Sequence, residues 1–335
     1  MTSPPPRTTE PDERRERAGP AVDPGAPTVS EWVEQRARAG GEAGLSWLAG
    51  LGAVVTSLCG EWELTLGRPL SGGSEAFLSE ARTADGQEVV LKIGLPGSTA
   101  GGTEASVLKA AGGRGYARLL RHDEERRAML LERLGPALGG LGWPMRRQVE
   151  ALCDTLRVAW MPMPGGMRLM NGAEKAESLA RFIEETWRSL GGPCDRRTVE
   201  TALRYIERRA ASFSSSRALL AHGDPHEGNL LLAREEAGPE FKFVDPDGLH
   251  IEPAYDLGVV LRGWNEDLRG SGARALARER SRLLAERTGV EEQPIWEWSI
   301  IERLSTGLHL EQLGIRELAR EYLGTADALS GSESP

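Results

Sequence analysis

His222-Gly223-Asp224-Pro225-His226-Glu227-Gly228-Asn229, followed by Phe243-Val244-Asp245-Pro246-Asp247-Gly248, is the stretch on which the reading of this chain turns. Asp224 precedes Asn229 by five residues, and Asp245 closes the apolar run Phe241-Lys242-Phe243-Val244. A carboxylate, an amide and a second carboxylate, set beside short strands, supply a hydroxyl-orienting base and two hard oxygen donors. Such donors suit Mg2+, which keeps its remaining positions for phosphate oxygens and water. Phosphoryl transfer asks for little more, because its catalysis is positioning plus electrostatic stabilisation. Asp224 is therefore the candidate catalytic residue, with Asn229 and Asp245 as candidate metal ligands. His222 and His226 are read as supporting residues, the first bracing the loop and the second steadying Asp224 or the metal's surroundings.

Outward from this stretch the pattern changes character in both directions. Residues 1–28 are rich in Pro, Arg, Glu and Thr and nearly lack large apolar side chains, the composition of a disordered tail. Ser30 reads as the N-cap of a first helix, and Leu45, Leu48, Leu51 and Val55 recur at helical spacing over 42–59. Strands are then expected at 62–66, 76–81 and 88–93, the last two joined by the hairpin signal Asp85-Gly86. A short helix at 103–111 and a strand at 129–132 follow. From about residue 146 the pattern is helical, at 147–160, 174–190, 196–213, 255–268, 272–288, 294–313 and 315–329, interrupted only by 221–250. A small β-rich part followed by a larger helical part gives an α+β, bilobal fold with a cleft between lobes, where ligands commonly bind. The boundaries expected are 29–133 for the nucleotide-binding lobe and 134–330 for the helical lobe carrying the catalytic loop and acceptor site.

The order carboxylate, amide five positions on, then a strand-terminal Asp is that of the protein-kinase catalytic loop and metal-binding Asp. His222-Gly223-Asp224-x-His226-x-x-Asn229 resembles the signature of the aminoglycoside phosphotransferase family, which has a protein-kinase-like fold. The likeness is nearer to the streptomycin 6-kinase and hydroxyurea phosphotransferase group. It is carried further by Val244-Asp245-Pro246, by Glu252-Pro253-Ala254-Tyr255-Asp256-Leu257, by 40–51, and by His122-Asp123-Glu124-Glu125 with Met129-Leu130-Leu131-Glu132-Arg133-Leu134. It spans most of 38–320 and thins between 137 and 215, where the acceptor site would be partly built.

The resemblance implies a small-lobe lysine, and the chain has only four lysines in all. Lys92, in Val89-Val90-Leu91-Lys92-Ile93, stands where the phosphate-contacting lysine belongs, with Glu104 as its ion-pair partner. The turn Ser71-Gly72-Gly73-Ser74 sits where a loop covers the nucleotide, and its amides suit phosphate. Leu131, Glu132 and Arg133 resemble the hinge whose backbone binds adenine. The implied cofactors are ATP and Mg2+. The implied acceptor is an aminoglycoside, streptomycin at its 6-hydroxyl first, or hydroxyurea, with antibiotic resistance as the outcome. Acidic residues such as Glu184, Glu185, Glu266 and Asp267 offer a polycation somewhere to bind.

Composition bounds the alternatives. A formal charge of −9 argues against a nucleic-acid partner, which needs a basic footprint. The three cysteines form no CxxC pair, so a reducing compartment is the default. No run of about 18 apolar residues marks a membrane span, and the expected location is cytoplasmic, as a monomer or dimer. His222 and His226 also fit a zinc hydrolase, but His122, His250 and His309 lie in no ligand motif. A kinase for a different metabolite and a nucleotide-binding protein without catalysis remain as rivals. Asp247 reads as a turn former, and Asp256, near a helix start, as a helix-N-terminal or loop-bracing carboxylate.

Overall fold

A computed structural model describes residues 27–70, 75–98, 102–234 and 240–331. Two helices come first, α1 (Glu31–Ala39) and α2 (Gly41–Trp62). Ser30 caps α1, its side chain accepting the Val33 amide at 3.3 Å. α2 is long and apolar enough to cross a membrane by length and composition alone. In this fold it lays Leu51, Val55 and Leu58 on Phe77, Leu91, Ile93 and Ala128 of a β-sheet. The helix runs through Trp62, where a strand was expected, and is stopped by Glu63 in the left-handed conformation.

Five antiparallel strands make that sheet: β1 (Leu64–Pro69), β2 (Ala76–Thr83), β3 (Glu88–Gly94), β4 (Leu119–Asp123) and β5 (Ala128–Glu132). Their order is β1-β2-β3-β5-β4. Helix α3 (Thr103–Ala111) lies between β3 and β4 in the chain. β4 has only Leu119 and Leu120 before Arg121-His122-Asp123, too little alternation for sequence reading to find it.

The larger lobe is helical: α4 (Met145–Ala159), α5 (Gly172–Ser189), α6 (Arg196–Ser212), α7 (Ala254–Leu261), α8 (Ala273–Thr288), α9 (Glu292–Gln312) and α10 (Arg316–Ser330). Two small ladders interrupt it, β6 (Leu219–Ala221) with β9 (Leu249–Ile251), and β7 (Leu230–Arg234) with β8 (Glu240–Phe243). α9 is the axle of this lobe. Trp296, Trp298, Ile300, Ile301, Leu304 and Leu308 are all buried around it. Gly258 of α7 lets the two helices touch, since a Cβ there would stand 2.4 Å from that of Trp298. α7 is shorter than the 255–268 periodicity implied: it ends at Leu261, Gly263 follows, and Trp264 turns left-handed into a short 3₁₀ turn.

Candidate active site

Register places Lys92 in mid-sheet, paired with Leu78 on β2 and Met129 on β5. Its side chain leaves the sheet toward α3, where Nζ donates to both carboxylate oxygens of Glu104 at 2.8 Å. Both residues are buried, so Glu104 is no solvated helix residue. The ammonium also reaches across to Asp245. Burial works against the charge on Lys92, but Glu104 and Asp245 outweigh it and hold its pKa above the ordinary lysine value. Burial likewise pushes the Glu104 carboxyl up, to about 7, against the pull of Lys92.

These groups close the inner end of a cleft of about 710 Å³ between the lobes. Leu70, Leu78 and Val90 line it from the sheet side, Leu231 from β7, and Leu131 and Leu134 at the hinge. A flat heteroaromatic ring fits such an apolar slot. Glu132 and Arg133 border the cleft too, yet their side chains are engaged elsewhere. Glu132 accepts from the Arg118 amide at 2.7 Å and from Lys242 at 2.5 Å, and Arg133 pairs with Glu80 at 2.9 Å. Only their backbone is left to meet a nucleotide. Ser71, Gly72, Gly73 and Ser74 lie outside the described residues, as does most of the stretch 1–28.

The catalytic-loop stretch is organised by one buried carboxylate. Asp256, on the first turn of α7, accepts from the amides of His222 (3.0 Å) and Gly223 (2.9 Å) and from the Trp160 indole (2.8 Å). Of the two readings of Asp256, these bonds are those of a loop brace. Gly223 has φ +95°, and a Cβ there would meet Asp247 at 2.7 Å, so the turn needs glycine. His222 is stacked on Tyr116 and edge-on to Phe243. Its Nδ1 accepts the Asp224 amide at 3.1 Å, which places the proton on Nε2, 3.0 Å from the Val244 carbonyl. Both ring nitrogens are therefore occupied, and burial lowers the His222 pKa. It is a brace, with nothing left to offer a zinc ion.

Val244 is gripped from its other side as well, its amide donating to the Asn229 carbonyl at 2.9 Å. The Asn229 side chain donates from Nδ2 to the Asp224 carbonyl at 3.0 Å, leaving its oxygen as a free acceptor. Asp245 takes a left-handed backbone, φ 57°. Asn229 and Asp245 thus border the same cleft with oxygen donors, a set that fits a magnesium ion held jointly with phosphates. Among the described residues no group of three or more His, Cys, Asp or Glu gathers around a common centre.

Asp224 stands just beyond the cleft lining. One oxygen pairs with Arg262 at the end of α7, and the other lies 3.6 Å from Nε2 of His226. Burial opposes its charge, but Arg262 and the two histidines hold its pKa below the ordinary aspartate value. Arg262 was missed in the sequence, where it looks like any arginine near a helix end. Asp247 lies outside the cleft lining, and loss of hydration and the neighbouring Asp224 push its carboxyl up to about 6. Asp267, a candidate for binding a polycation, is engaged by Arg280.

Solved structures define the class of fold. Aminoglycoside phosphotransferase APH(3'')-Id from Streptomyces rimosus, in complex with ADP and streptomycin, superposes with a TM-score of 0.51 at 18% identity, over 76% of this chain and 98% of that one. Choline kinase from Cryptosporidium parvum superposes with a TM-score of 0.54 at 10% identity, over 83% and 93%. The fold is protein-kinase-like and bilobal. The family model for aminoglycoside/hydroxyurea antibiotic resistance kinases matches residues 61–312. Streptomycin 6-kinase from Streptomyces griseus is 30% identical over 89% of this chain and 95% of its own length. Hydroxyurea phosphotransferase from Kitasatospora aureofaciens is 31% identical over 76% and 75%. The chain belongs to the aminoglycoside/hydroxyurea antibiotic resistance kinase family and is a small-molecule kinase.

Proposed function

We propose that this kinase transfers the γ-phosphate of ATP to a hydroxyl of an aminoglycoside, streptomycin at the 6-hydroxyl first, and so confers antibiotic resistance in the cytoplasm. The observation that carries the reading is the convergence of Lys92, Glu104, Asn229 and Asp245 on one cleft, with Asp224 at its edge. The match to streptomycin 6-kinases over 88–89% of this chain favours the acceptor. Hydroxyurea is the second candidate, on the match to its phosphotransferase. Residues 29–133 would carry the nucleotide and 134–330 the acceptor.

In this reading the acceptor oxygen attacks the γ-phosphorus, the bond to the ADP oxygen breaks, and the hydroxyl proton passes to Asp224. Asp224 positions the hydroxyl and is kept anionic by Arg262. Lys92, clamped by Glu104, exchanges its contact with Asp245 for phosphate oxygens. Asn229 and Asp245 would hold Mg2+, which neutralises phosphate charge and fixes the geometry of the phosphate chain. The hinge backbone at 131–133 receives adenine.

The test is ATP consumption by the purified protein with streptomycin, other aminoglycosides and hydroxyurea as separate acceptors. Stimulation by streptomycin supports the reading, and stimulation by hydroxyurea alone transfers it to the second acceptor. Stimulation by neither removes both.

A further inference from the structure

Asp224 has two oxygens, and the protein occupies only one of them fully. Arg262 pairs with Oδ1, whereas Oδ2 has His226 at 3.6 Å as its neighbour. The same guanidinium contacts Glu302 of α9 at 3.3 Å, and Glu302 in turn accepts the Tyr255 hydroxyl at 2.7 Å. One residue further along α9, the fully buried Arg303 donates to the Leu261 carbonyl, next to Arg262, and to the Asn265 side chain at 2.8 Å. The Arg262 and Gly263 amides already serve the carbonyls of Gly258, Val259 and Val260, and the buried arginine takes the Leu261 carbonyl that follows, which fixes the helix end. Arg280 of α8 adds a hydrogen bond to the Trp264 carbonyl at 3.1 Å. Three arginines thus hold the end of α7 and the turn after it. A planar guanidinium shared between two carboxylates has a defined orientation that a lysine would lack.

We propose that Arg262 is a positioning residue for phosphoryl transfer: it holds Oδ1 of Asp224 so that Oδ2 alone meets the acceptor hydroxyl, and α9 sets its place through Glu302 and Arg303. The proposal rests on Asp224 as the base. It adds a chain of contacts from the buried axle of the helical lobe to the oxygen that takes the proton. Arg262 has no need to touch the nucleotide, because Asp224 and Glu302 already engage its guanidinium. Its loss therefore acts on turnover and leaves nucleotide binding alone.

The experiment compares wild type with Arg262→Lys, Arg262→Met, the pair Arg262→Met/Glu302→Gln, and Asp224→Asn. Turnover is measured with Mg–ATP and streptomycin. Displacing Oδ2 by about an ångström is expected to lower kcat about 100-fold in Arg262→Met. KM for ATP and the affinity for a fluorescent ATP analogue should stay within twofold, and Arg262→Lys should recover part of kcat. The paired substitution removes the cation together with its second counter-charge, so it keeps the fold while leaving Oδ1 unheld, and it should stay slow. The proposal is overturned if kcat survives in the paired variant, or if KM for ATP rises in step with the loss. Wild-type turnover in Asp224→Asn would instead sink the assignment of the base, a separate outcome.

Discussion

The Asp256 carboxylate accepts the Gly223 amide at 2.9 Å, and so ties the start of α7 to the loop that carries Asp224. The same carboxylate takes the His222 amide and the half-buried Trp160 indole, and the two amide bonds are buried. Truncation would leave three donors without this partner, two of them away from water. Asp256→Ala is expected to lose roughly 3 kcal/mol of stability in urea unfolding. Asp256→Asn keeps one acceptor oxygen and should lose less. Equal stability of wild type and Asp256→Ala would show that the loop holds its shape without this brace.

Lys92 and Glu104 form a buried pair whose members depend on each other. Lys92→Ala removes the phosphate contact and is expected to weaken ATP binding about 10- to 100-fold, the worth of a charge-assisted hydrogen bond. Glu104→Gln keeps the shape and one acceptor, so its effect on KM for ATP should be smaller and in the same direction. Titration with a fluorescent ATP analogue checks both. Unchanged affinity in Lys92→Ala would remove Lys92 from the nucleotide site.

Much of this site was legible because its spacing is local. Asp224 and Asn229 share one loop, so their separation in sequence is their separation in function, and Asp245 ends a readable strand. Lys92 was legible because lysine is scarce in this chain and this one sits in an apolar strand. Arg262 and Glu302 were illegible for the opposite reason. Arg262 meets Asp224 across 38 residues of sequence and Glu302 meets Arg262 across a further 40, contacts made only once the intervening helix and strand have folded, and arginine is common here. Helix ends were misjudged where a periodic pattern ran past its stop. Trp62 looked like strand and Trp264 like helix, although a left-handed residue ends the helix just past the one and stands at the other.

His222 offers a pH test. Its folded pKa lies below the ordinary 6.5 because burial disfavours the charged ring. The unfolded chain then binds more protons below pH 6.5, so the stability this group contributes is present above that pH and is lost as pH falls toward the folded value. The thermal midpoint of the wild type should drop more steeply between about pH 6.5 and 5 than that of His222→Gln. Parallel slopes would mean that His222 protonates in the folded protein without penalty.

Magnesium should be needed for turnover and less so for folding, since the proposed ligands lie at the cleft and not in a core. Chelation with EDTA is expected to abolish phosphate transfer while the thermal midpoint of the nucleotide-free protein stays put. Asp245→Asn should raise the magnesium concentration needed for half-maximal rate. Full activity in EDTA would contradict the assignment of Asn229 and Asp245.

The central claim is that Asp224 orients and deprotonates an acceptor hydroxyl for attack on ATP, and 31P NMR of the product mixture tests it most directly. With wild-type protein, Mg–ATP and streptomycin, a phosphomonoester signal on the antibiotic should grow as ADP accumulates. With Asp224→Ala the signal should form at least about 100-fold more slowly, the usual contribution of a general base, while ATP still binds. A phosphomonoester formed at the wild-type rate by Asp224→Ala would contradict the account.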